Sequence, residues 1–109
     1  MEWMHYLATF AGGALLTNAV PHFVSGVMGR PFQSPFAKPR GEGLSSSTVN
    51  VLWGFFNLAA GAALIGRVGS FDPHSTGDVL ALGSSVLLAG LGMARLFGRF
   101  HGGNAPGEA

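Results

Sequence analysis

The chain contains no cysteine, which removes disulfides, thiolate metal sites and thiol nucleophiles together. Charge is almost as scarce: Asp, Glu, Lys and Arg make up 10% of the 109 residues, against roughly 25% in soluble domains. A short soluble domain exposes much of its surface and needs charge to stay dispersed. This chain has too little, and its mean hydropathy of +0.38 points to lipid as the solvent. A net charge of +1 provides no basic field for nucleic acid. No carboxylate stands between Glu2 and Glu42 or in the apolar run that follows Thr48. The opening Met-Glu-Trp-Met-His lacks the positive n-region of a secretory signal, so the first apolar segment reads as a retained span.

What is present is three apolar runs of membrane-helix length, which takes about 20 mostly apolar residues. They cover about 3–28, 48–68 and 76–97. None alternates like a barrel strand, and three strands could not close a barrel. The expected fold is therefore an all-α integral membrane protein, a three-helix transmembrane domain over 1–97. Ser75 is placed to cap the third helix, with Asp78 in its first turn. Between the first two helices, residues 29–47 carry Pro31, Pro35 and Pro39, which rule out a regular helix. This reads as a Pro-rich interfacial loop, with Phe32 and Phe36 at headgroup level or simply in a plain loop. Residues 98–109 read as a flexible tail.

Lys and Arg set the expected orientation. Arg30, Lys38 and Arg40 lie in the first loop and Arg95 and Arg99 at the end of the third helix, against Arg67 alone on the opposite side. The positive-inside rule then places the N-terminus outside and the Pro-rich loop and tail in the cytoplasm. The protein is expected in the inner (plasma) membrane, with those five basic residues at lipid headgroups.

Helical spacing sorts the remaining residues onto faces. In helix one, Asn18 and His22 share a face, beside a small-residue stripe of Gly12, Ala19 and Gly26. In helix two, Asn50, Gly54, Asn57 and Gly61 form one seam, flanked by Trp53. Helix three has two small faces, one with Ser85, Ala89 and Gly92 and the other with Gly83 and Gly90. Such residues let membrane helices approach closely.

Pro21 has no N–H, so the Thr17 carbonyl loses its helical donor and requires another. The amides of Asn50 and Asn57 and the ring of His22 are the candidates. Asn18, Pro21, His22, Asn50, Trp53 and Asn57 are thus expected to form an intramembrane polar cluster. His22 is the one ionisable residue well inside a span, which by default raises a functional question. Three roles suit it: hydrogen-bonding glue between helices, a proton or solute path, or ligation of haem or chlorophyll. No second histidine is expected at its depth.

Catalytic residues do not assemble. Asp72, His74 and Asp78 form a loose acidic loop of no recognised metal spacing, so no metal and no enzyme activity are expected. Three helices cannot enclose an aqueous path alone. The first expectation is an accessory or assembly subunit of a larger membrane complex. The alternatives are a homo-oligomeric channel or small-solute or proton transporter lined by the Asn/His cluster, and a cofactor protein with His22 as axial ligand.

Overall fold

A computed structural model describes residues 2–108; Met1 and Ala109, at the ends of the expected domain and tail, lie outside the described residues. Three helices dominate: α1 (Glu2–Val27), α2 (Ser47–Ala63) and α3 (Thr76–His101). A π-helical turn, Leu64–Val68, extends α2. Each of the three segments Trp3–Val27, Ser47–Val68 and Thr76–His101 is long and apolar enough to cross a membrane.

Local chemistry sets the boundaries. Ser46 caps α2 by accepting from the Val49 N–H at 3.1 Å, and Ser75 caps α3 by accepting from the Asp78 N–H at 3.2 Å. Both satisfy amides that a helix start leaves open. α3 runs four residues past Phe97 and stops at Gly102, whose φ of 68° is the left-handed conformation that suits glycine at a helix end. The segment expected to be a flexible tail therefore begins with another turn of helix.

The Pro-rich loop folds into a small hairpin. Strands β1 (Phe32–Gln33) and β2 (Leu44–Ser45) pair antiparallel, Phe32 opposite Ser45 and Gln33 opposite Leu44. At its base the Ser34 carbonyl accepts from the Ala37 and Gly41 amides, and the Ser34 and Ser45 hydroxyls are hydrogen-bonded to each other. Phe36 stays exposed, while Phe32 is half-buried and turns inward. Its ring packs on His22, Phe97 and His101.

α1 is the central element, packed on α2 along one side and on α3 along another. The α1–α2 contact is antiparallel and close enough to exclude side chains. A Cβ on Gly61 would lie 2.8 Å from the Gly12 carbonyl oxygen, and one on Gly12 would lie 2.8 Å from that of Gly61. Further along, Gly54 lies against the Phe23 backbone and Gly26 against Ser47 and Val51. α3 runs parallel to α1 and is far less covered, with only Asp78 and Ser85 buried. The Ser85 hydroxyl donates to the Phe10 carbonyl and abuts Gly13. A Cβ on Gly90 would lie 4.0 Å from the Thr17 methyl, while one on Gly83 or Gly92 would meet nothing. Ala89, beside Ser85, is half-buried. The chain thus covers part of each small face on α3: Ser85 and Ala89 of one and Gly90 of the other.

Candidate functional site: a polar seam and the cavity above it

Asn18 and His22 stand one helical turn apart on α1, and each meets an asparagine of α2. Asn18 Nδ2 donates to Asn57 Oδ1 at 3.1 Å, and Asn57 Nδ2 turns back to the Trp53 carbonyl at 2.8 Å. One turn nearer the hairpin, His22 Nδ1 and Asn50 Oδ1 are 2.8 Å apart. Ala19 is buried between these two rungs.

The Asn50 amide fixes the proton on His22. Its Nδ2 lies 3.1 Å from the Phe32 carbonyl, 3.2 Å from that of Ser45 and 3.1 Å from that of Ser46. Three acceptors on one side demand the nitrogen there, so the oxygen faces His22. An oxygen can only accept, so His22 donates from Nδ1. Its Nε2 has no hydrogen-bond partner among the described residues. Asn50 thereby ties the start of α2 to the hairpin and to α1 from a fully buried position.

None of the three donors expected at the Thr17 carbonyl serves it. Asn50 and Asn57 are committed elsewhere and His22 donates to Asn50, while α1 continues as one helix through Pro21.

His101 is the residue that sequence reasoning missed. The extra turn of α3 brings its ring into a stack on Phe32, centroids 5.7 Å apart, and His22 meets the same Phe32 edge-on at 5.4 Å. His101 Nε2 donates to Gln33 Oε1 at 2.8 Å. A second histidine therefore reaches the His22 neighbourhood from within the chain, contrary to expectation. Its signal was the spacing Phe97–His101, one turn apart on the face that already carries Phe97 inward.

Above the seam lies a cavity of about 210 Å³, lined in part by Asn18, His22, Gln33, Trp53 and Phe97. Gln33 and Ser34 are both buried although they belong to the loop. On the lipid side of Trp53 runs an apolar groove of about 530 Å³ with Phe36, Val49, Leu52 and Phe56.

The opposite end of the molecule has its own polar knot. Asp78 Oδ1 accepts from His5 Nε2 at 3.0 Å, and Oδ2 from the Asp72 amide at 2.9 Å. His74 instead turns to Asp72, both largely exposed, and no cluster that could hold a metal occurs among the described residues. Arg30, Lys38, Arg40, Arg95 and Arg99 are all exposed, and Arg99 lies over the Phe100 ring at 5.6 Å.

Comparison of the chain with protein families, curated proteins and solved structures finds no match. The functional reading therefore rests on this geometry alone.

Proposed function

We propose that the protein acts by association, as an accessory or assembly subunit of a larger complex in the inner (plasma) membrane. The observation that carries this reading is how little of α3 the chain covers: Gly83 and Gly92, on opposite flanks of the helix, have no atom of the chain within reach of an added Cβ. Close approach of a second helix is what such positions permit in lipid. The seam residues support the same reading. Asn18, Asn50, Asn57 and His22 spend their hydrogen bonds joining α1 to α2 and the hairpin. That commitment weighs against a homo-oligomeric channel in which they would turn to a shared axis.

The N-terminus faces outside and the hairpin and C-terminus face the cytoplasm. Parallel α1 and α3 put Arg30, Lys38, Arg40, Arg95 and Arg99 at one end and Arg67 at the other, and the positive-inside rule orients the bundle.

Native electrophoresis of membranes expressing the chain at its natural level tests the association. The chain should migrate in a larger species that Gly83→Leu or Gly92→Leu dissolves and that Leu91→Phe, exposed between the two flanks, leaves intact. Migration as a free chain in all cases rejects the reading. A C-terminal reporter active only outside the cytoplasm should stay silent; activity there reverses the orientation.

A further inference from the structure

The two phenylalanines of the hairpin part company. Phe32 turns in to the His22 and His101 rings, whereas Phe36 is 62% exposed and meets the outer side of α2, its ring edge-on to Trp53 at 5.1 Å. Trp53 in turn stacks on Phe56 at 5.7 Å. Phe36 thus closes one end of the groove of about 530 Å³ that Val49, Leu52, Trp53 and Phe56 continue into the span. From Val49 to Phe56 the groove follows α2 for about 10 Å. Its volume lies within the roughly 300–1,000 Å³ of ligand sites.

The walls choose between occupants. All five lining residues are large and apolar, so a second helix cannot come close here as it does at small residues. A flexible acyl chain can follow such a wall. The two ends of the groove differ in charge. At the hairpin end, Lys38 stands two residues from Phe36, at most about 7 Å along the backbone. Arg30 and Arg40 lie in the same loop, which carries Glu42 as its one acid. Ion pairs among the described residues are confined to His5–Asp78 and His74–Asp72, at the other end of the molecule. None of the three loop cations is therefore neutralised by a carboxylate of the described residues. The deep end, at Phe56, is mid-helix and apolar.

We propose that the groove between the hairpin and α2 binds an anionic phospholipid, with one acyl chain along Leu52, Trp53 and Phe56 and the phosphate at Lys38. The lipid supplies a negative charge where the loop has unpaired cations, and a chain where the span has a concave apolar wall. Phe36 is the residue that makes that wall concave. This site lies on α2 and is independent of the α3 surface and of any partner there.

The chain has two tryptophans, which makes the test direct. In Trp3→Phe the sole indole is Trp53, a wall of the groove. The full-length protein is placed in phosphatidylcholine bilayers carrying increasing fractions of phosphatidylglycerol brominated on its acyl chains, and Trp53 emission is followed. Brominated phosphatidylglycerol should quench along a curve that saturates at low mole fraction, and brominated phosphatidylcholine only in proportion to its share. Lys38→Gln should lower the preference about fivefold, the contribution of one basic side chain beside anionic lipid. Arg67→Gln, the same charge change at the opposite end, should leave it unaltered. Phe36→Ala keeps every charge and should also weaken the preference, with circular dichroism confirming the fold of each variant. Equal quenching by the two lipids makes the groove an ordinary lipid-facing surface and overturns the proposal. Absence of quenching by either means that protein covers the groove, and overturns it as well. A preference that survives Phe36→Ala belongs to the charged surface alone, and one that survives Lys38→Gln has its phosphate elsewhere; each refutes the site.

Discussion

Asn50→Ala is the substitution that tests the seam most severely. The side chain donates towards three carbonyls with two hydrogens and accepts from His22, so truncation removes three bonds. Inter-helix hydrogen bonds in membrane bundles average about 0.6 kcal/mol, and buried ones in general contribute about 0.5–1.5 kcal/mol. Three bonds therefore give about 2–4 kcal/mol. Asn18→Ala removes a single bond to Asn57 and should cost about 0.6–1 kcal/mol on the same scales. Asn50→Asp is the sharper variant. It retains an acceptor for His22 but sets a carboxylate oxygen against the Phe32, Ser45 and Ser46 carbonyls, so it should destabilise at least as much as alanine. Unfolding in mixed micelles by SDS titration, followed by circular dichroism, measures all three. If Asn50→Asp stays within about 0.5 kcal/mol of the parent, a spread ordinary for neutral surface changes, the amide is oriented the other way. The assignment of the His22 proton then fails with it.

Other substitutions separate packing from open surface. Gly54→Ala and Gly61→Ala should each lower stability by about 1–3 kcal/mol, as overpacked sites do, because the added methyl meets backbone atoms 2.6 to 2.8 Å away. In the same titration Gly83→Ala and Gly92→Ala should be neutral or stabilise by up to about 1 kcal/mol, the helix-propensity gain; equal losses at all four would refute the seam. Truncation after Phe97 removes the His101 stack on Phe32 and its bond to Gln33, so amide exchange in 32–45 should accelerate while the α1–α2 seam stays protected. Unchanged exchange there would show that the last turn of α3 does not hold the hairpin. Asp78→Ala should lower the Tm of the detergent-solubilised protein, since it frees His5 and the Asp72 amide together, and Asp72→Ala should not.

The helix faces were legible in the sequence because a 3.6-residue period fixes them locally. Asn50, Gly54, Asn57 and Gly61 fall on one face by spacing alone, and that face is the buried one. Which atom each asparagine meets was not legible, because that depends on how far α1 is slid along α2. The slide is set by backbone contacts at Gly12 against Gly61 and at Gly26 against Ser47, long-range facts that no window of residues contains. A slip of one turn, about 5.4 Å, would keep every residue on its face and break every polar pair. The same reasoning explains the misplaced donors for Thr17. Faces and approximate depth brought Asn50 and Asn57 near it, whereas the register gave their amides to other carbonyls. At the hairpin even the face was hidden. Phe32 turns in because His22, Phe97 and His101 converge on it, and His101 arrives only because α3 passes through Gly98 and ends at Gly102. Either glycine could have closed the helix by residue type. The choice places the last turn where His101 can hold the buried Gln33 of the hairpin.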